Sequence, residues 1–302
     1  MRIGLSGGGT TVDRIIQQAT GAEADGFSSL WFASGVTGDP LVAMAMAGRA
    51  TTTIELGTSV LQTYPCHPVL MANRAAAVVS AMGRGGLTLG VGPSHVPVIE
   101  GLYGLDATRP GQHTEEYLRI LVGALRGEAV ELTGSEVSAH TTGRTIELAA
   151  PVPVLLSALA PRLLRIAGEL TDGTITWMAN ARAIEQHIAP RLRRAAAGRP
   201  EPRIVVGLPL AVHDDVEEAR REAAAQYSFY GQLPNYRRIL DIGGADGPAE
   251  AAIVGDEKTV TAQITALFEA GATDLWAAPF PVGDRATSRA RTRALLQELA
   301  AD

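Results

Sequence analysis

The feature that most constrains this chain is a repeated beat. Eight short apolar runs rich in β-branched residues fall at 2–5, 29–33, 54–58, 87–90, 154–157, 173–177, 204–210 and 274–278. A segment with helical spacing follows each of them. Val12, Ile15, Ile16, Ala19 and Ala22 fall on one helical face, and Asp39 reads as an N-cap with Pro40 at the first helical position. Pro68 and Pro161 open two further helices, and Asp256 caps a helix that stops at Gly271. Parallel strands joined by helices cross over right-handedly, so eight such units either close into a barrel or spread as a long open sheet. Closure is favoured, because the count is eight and no chain is left over for a second core. The expected fold class is α/β, a (β/α)8 TIM barrel forming a single domain over 1–302.

One stretch breaks the beat. Residues 127–153 are polar and irregular, with β-prone pieces near Val130 and Ile146. They read as an excursion between the fourth helix and the fifth strand.

Composition narrows the function classes. A net charge of -6 and no basic run argue against a nucleic-acid surface. No apolar run approaches the ~18 residues of a membrane span, and no basic segment with an apolar stretch precedes the first strand. Cys66 is the single cysteine, so no intrachain disulfide can form, and a cytoplasmic location is expected.

In a barrel of this kind chemistry sits just after each strand. Ser6 to Gly9 follow the first strand, and Ser34 and Gly35 the second. S-V-L-Q-T-Y-P-C-H-P (Ser59 to Pro68) follows the third. G-V-G-P-S-H (Gly90 to His95) ends the fourth; it looks like a dinucleotide fingerprint with His95 in place of the third glycine. Ser157, Ala158, Leu159 and Ala160 end the fifth strand, and Trp177 and Met178 the sixth. These ends hold no metal-ligand spacing, no G-x-S-x-G elbow, no lysine for a Schiff base and no P-loop. Backbone-exposing residues, hydroxyls, aromatics and a histidine or two remain. That lining suits a cofactor that brings its own chemistry.

Four pieces together carry a family resemblance. L-G-T-S-V-L-Q-T-Y-P-C-H-P (Leu56 to Pro68) and G-R-G-G-L-T-L-G-V-G-P-S-H (Gly83 to His95) resemble the luciferase-like flavin and deazaflavin oxidoreductases. S-L-W-F (Ser29 to Phe32) with Gly38-Asp39-Pro40, and A-L-A-P-R-L-L-R-I-A-G-E-L-T-D-G (Ala158 to Gly173), agree with it. The resemblance covers most of the chain. It implies a barrel with the excursion, a ring cofactor at the strand ends, and a homodimer. For the deazaflavin branch it implies coenzyme F420 and a non-proline cis peptide at Ser59–Val60. The cofactor's tail phosphate would then lie near Ser157 to Ala160.

The chain departs from that branch at Ser34 and Gly35, where many members carry an acidic residue and a histidine, and at His95, where many carry a glutamate. His95 is therefore the candidate acid or base, against a plain hydrogen-bonding role. Ser34 is the second catalytic candidate, as a hydrogen-bond donor to the ring, since a hydroxyl cannot act as an acid or base near neutral pH. Ser6, Ser34, Ser59, Val60, Gln62, Tyr64, Gly92, Pro93, Ser94, His95 and Ser157 to Ala160 are the expected cofactor contacts. Trp177 and Met178 are the expected substrate contacts, against core packing. Tyr227, Tyr230 and Tyr236 belong to a segment that could overhang the pocket. His67 reads as a structural residue bonding a loop carbonyl, and Cys66 as a small buried hydrophobe. The expected activity is hydride transfer between reduced F420 and a small organic substrate with an activated C=C, C=N or carbonyl. An FMN-dependent monooxygenase with a partner reductase and a non-catalytic flavin-binding barrel are the alternatives.

Overall fold

The computed structural model describes residues 1–35, 38–143 and 148–301. The chain opens with β1 (Ile3–Gly7), α1 (Val12–Ala24), β2 (Ser29–Phe32), α2 (Pro40–Arg49) and β3 (Glu55–Thr58). After a cis Ser59–Val60 bond, β4 (Leu61–Gln62) resumes the strand path, and α3 (Pro68–Met82) leads to β5 (Leu87–Gly92). Next come α4 (Val96–Gly101), α5 (Pro110–Arg126), a hairpin of β6 (Val130–Leu132) and β7 (Ala139–Thr141), and β8 (Val154–Ser157). Then α6 (Pro161–Leu170) precedes β9 (Gly173–Trp177), and α7 (Ala181–Ala183) passes through a π turn (Ile184–Ile188) into α8 (Ala189–Ala195). The last part is β10 (Arg203–Val212), α9 (Val216–Gly231), α10 (Pro234–Gly243), α11 (Pro248–Ala251), β11 (Ile253–Gly255), α12 (Glu257–Glu269), β12 (Asp274–Pro279) and α13 (Arg285–Ala301).

The strands β1, β2, β3, β5, β8, β9, β10 and β12 pair in that order, all parallel, and β12 pairs back with β1. The sheet is therefore closed, as the eight beats require. Strand ends differ from the sequence reading by no more than two residues. The anticipated caps form: Asp39 and Asp256 accept from the N–H groups of Leu41 and Thr259, and Asp215 caps α9 in the same way from Glu218. What periodicity missed is short. α4 is only six residues and holds Pro97, too little to display a helical repeat.

Inward-facing residues fill the barrel in layers. At the N-terminal end, Arg203 pairs with Glu55 at 3.0 Å and Asp274 at 2.6 Å, and Arg2 pairs with both carboxylates. Burial opposes the Asp274 charge, but hydrogen bonds from Arg203, Thr273 and Arg2 outweigh it and hold this carboxyl below its usual range. Above that plug lie Trp31, Leu155, Ile175, Val205 and Trp276. Two indoles fit at this level because a glycine stands opposite each. Gly57 pairs with Trp31 and Gly207 with Trp276, and a Cβ on either glycine would come within 2.3 Å of the ring.

The excursion is a hairpin docked on α5. Val130 and Ala139 pack on Ile120. The carboxylate of Glu116 accepts from Gln112 and from the N–H groups of Ser135, Glu136 and Val137. Burial opposes its charge, but these bonds prevail and hold it at about 2. Ile146, expected as a β-prone piece, lies outside the described residues.

Candidate active site

A cavity of about 500 Å³ opens at the C-terminal ends of the barrel strands. Its first wall comes from β1 to β5. Ser6, Ser34, Ser59, Val60 and Gln62 line it, followed by Gly92, Pro93, Ser94 and His95. Ser157, Leu159 and Ala160 continue the lining after β8, and Trp177 does so at the end of β9. The structure thus brings most of the expected contacts to one place.

Three expected contacts lie elsewhere. Ala158 is fully buried between two lining neighbours, because alternation along an extended chain turns it to the opposite side. Met178, at φ 65°, is turned into the core and 1% exposed. Tyr64 follows the turn after β4, and its ring lies flat on His113 at 3.7 Å, outside the cavity. His113 contacts the Thr63 hydroxyl at 3.1 Å, and burial pushes its imidazole down to about 4. Tyr64 therefore belongs to the packing behind the rim.

His67 also lies outside the cavity lining. One ring nitrogen is 3.0 Å from the Ser138 carbonyl and the other accepts from the Val69 N–H. It ties the start of α3 to the excursion. Cys66 is buried against the same region. The loop of Gly7 to Gly9 is tied back to α1 by Gln18, which bonds both the N–H and the carbonyl of Gly8.

His95 stands between β5 and α4, half-buried in the cavity wall. Its ring makes no capping bond to α4 and faces Tyr236 at 5.8 Å between centroids. Burial pushes the imidazole below its ordinary range, so its neutral form dominates at pH 7. The loop carrying it is braced from one side. Tyr103 donates to Gln62 at 2.9 Å, and Gln62 donates to Ser94 at 3.2 Å. Ser94 itself holds the left-handed conformation at φ 66°, an uncommon state for a residue other than glycine.

The second wall is aromatic and comes from β9, β12, α9 and α10. Trp177 stacks on Trp276 at 5.0 Å, and Tyr227 and Tyr230 present edges to it at 6.0 and 5.8 Å. Tyr230 meets Tyr236 at 5.0 Å. Gly207 makes the indole stack possible. It pairs with Trp177 on one side and Trp276 on the other, so both rings meet over a position without a side chain. The overhanging segment after the seventh barrel strand does reach the cavity through these tyrosines. Trp276 went unnoticed in the sequence because attention to residues after each strand passes over the inward residue one layer lower. Its alternation with Ala278, another lining residue, was the available signal.

The cavity has features a ring cofactor requires. A Cβ at Gly92 would press on Ser157 at 3.0 Å and Val60 at 3.2 Å, so the glycine lets these two lining residues close up beside β5 and keeps this wall built of small side chains. The buried Trp276 indole N–H has no partner among the described residues and lies in the lining. Among the described residues no group of three His, Cys, Asp or Glu could hold a metal ion, and no helix is long and apolar enough to cross a membrane.

A closed eight-stranded barrel with a hairpin excursion before its fifth strand, and a cavity so lined at the strand ends, defines the luciferase-like class. The chain belongs to the luciferase-like monooxygenase family, whose sequence profile matches residues 2–302. In sequence it is similar to the 5,10-methylenetetrahydromethanopterin reductase of Methanolobus tindarius, with 25% identity over 247 residues, 80% of this chain and 74% of the relative. In structure it is similar to the coenzyme F420-dependent tetrahydromethanopterin reductase of Methanopyrus kandleri, with a TM-score of 0.77 and 19% identity over 99% of this chain and 97% of that one. The oxygenating constituent of 3,6-diketocamphane monooxygenase from Pseudomonas putida, solved with FMN, has a TM-score of 0.75 and 19% identity over 99% and 96%. Relatives thus include F420 reductases and FMN monooxygenases.

Proposed function

We propose that this protein is a coenzyme F420-dependent oxidoreductase. It moves a hydride between reduced deazaflavin and a small organic substrate with an activated C=C, C=N or carbonyl. The observation that carries the reading is the wall of small residues, Ser34, Ser59, Val60 and Gly92, beside the imidazole of His95, in a chain similar in sequence to a reductase over most of its length.

Ser34, Ser59, Val60 and Gly92 to Ser94 would hold the ring. Ser157, Leu159 and Ala160 with the uncapped first turn of α6 would hold the tail phosphate, since free N–H groups at a helix start favour anions. When bound, the deazaflavin supplies a two-electron hydride carrier. Gln62 fixes the loop of Ser94 and His95. His95 gives or takes the proton that accompanies the hydride. Trp177 and the tyrosines of α9 and α10 exclude water and position the substrate. Val42 and Met46 on α2 and Leu70 on α3 are exposed apolar side chains on neighbouring helices, which supports a homodimer through that face.

Fluorescence titration with oxidised F420 and with FMN tests the assignment. Saturable binding of F420, and much weaker binding of FMN, is expected. Tight FMN binding with none for F420 would replace this reading with that of a flavin monooxygenase. F420 binding with no turnover on an enone and imine panel would point to a carrier.

A further inference from the structure

We infer that the substrate is an uncharged, planar aromatic carbonyl compound, bound against Trp177 with its oxygen toward Tyr236 and His95. The inference rests on the proposed F420 reading, which assigns the cofactor to the wall from β1 to β5.

The first observation is electrostatic. Among the described residues lining the cavity there is no Arg, Lys, Asp or Glu. The titratable groups that do line it are all held neutral. Burial pushes His95 down and the phenols of Tyr227, Tyr230 and Tyr236 up. Against the aromatic wall, away from the start of α6 assigned to the cofactor's tail, a carboxylated or phosphorylated substrate would leave water without a counter-ion. Such a transfer is strongly unfavourable.

The second observation is shape. Trp276, Trp177, Tyr230, Tyr236 and His95 form a continuous run of rings, with successive centroids 5.0, 5.8, 5.0 and 5.8 Å apart. Trp177 is held by a stack on Trp276 and by edge contacts with Tyr227 and Tyr230. Rings at such spacings favour a further flat partner. In the closed strand order β12 stands opposite β5 while β9 is two strands away from it, so the Trp276 end of this run is the part across the barrel from Gly92.

The third observation is the rim. Val96, beside His95, is 48% exposed, and Phe229, whose ring touches that of Tyr230, is 58% exposed. Both flank lining residues, His95 and Tyr230, and exposed apolar side chains beside the cavity suit an apolar molecule. A carbonyl within it has a donor to meet. The Tyr236 phenol stays protonated and is therefore a donor, and it makes no hydrogen bond among the described residues.

Chalcone is a suitable probe, as an uncharged flat enone, and 4-carboxychalcone is its anionic partner. Calorimetric titration of the full chain, with and without saturating F420, is expected to show chalcone binding at least ten-fold tighter than 4-carboxychalcone. Trp177→Ala is expected to weaken chalcone at least ten-fold and Trp177→Phe by less than three-fold. Tyr236→Phe should lower chalcone affinity several-fold and narrow its lead over stilbene, which lacks the carbonyl, by the same factor. Absence of chalcone binding, or equal binding of the carboxylated analogue, would overturn the inference. So would a folded Trp177→Ala protein with unchanged affinity. Should Trp177→Ala fail to fold, the charge comparison in the unaltered chain decides alone. Failure of F420 to bind while chalcone keeps its advantage in the cofactor-free protein refutes the cofactor assignment and supports the substrate class.

Discussion

Gly207→Ala is the substitution whose consequence follows most directly from the packing. Gly207 lies between Trp177 and Trp276 on adjacent strands. Its Cβ would sit 2.0 Å from a Trp276 ring carbon and 2.3 Å from the indole nitrogen, so the ring must move. In a strand position free of neighbours, Ala would stabilise by about 0.4–1 kcal/mol through the unfolded chain. The clash has the opposite sign. Overpacking a core costs about 1–3 kcal/mol, and losing the Trp177–Trp276 stack adds about 0.5–1.5 kcal/mol. A net loss of about 2–3 kcal/mol is expected. Urea unfolding followed by far-UV circular dichroism measures it, and the near-UV signal of the stacked indoles should weaken. Trp276→Leu removes the obstacle, so the double variant should be more stable than the sum of the single losses by about 1 kcal/mol or more. A Gly207→Ala protein as stable as the original, or strictly additive losses in the cycle, would refute the packing argument.

Two further outcomes are expected. His95→Gln should keep cofactor binding while lowering turnover by about 10²–10⁴-fold. In the direction that oxidises substrate, kcat/KM should rise with pH through an apparent pKa below 6.5, and the variant should lose that limb; unchanged turnover would remove the proton-transfer role. Glu116 is ionised down to about 2 in the folded chain against an ordinary 4.5, so its stabilisation is present above about 4.5 and is lost as pH falls toward 2. Glu116→Gln should destabilise by about 2–3 kcal/mol at pH 7 and flatten the acid limb of the stability profile, both read by denaturant titration at several pH values.

The sequence by itself determined the barrel. Eight apolar runs with helical segments between them leave few parallel arrangements, and caps such as Asp39 and Asp256 mark where helices begin. It also determined much of one wall of the site, because residues that follow a barrel strand must reach the same mouth. Tertiary structure decided the remainder. Which of Ser157, Ala158 and Leu159 faces inward depends on strand alternation and on where the chain leaves the sheet, and local pattern does not fix that point. Tyr64 was lost to the site by a turn that laid it on His113, a residue 49 positions away. The aromatic wall was legible in part, through Trp177 and the three tyrosines, but Trp276 and the joining of the rings were not. Trp177, Tyr230, Tyr236 and Trp276 come from four separate elements, and only closure of the barrel, over the glycine at 207, brings their rings into one run.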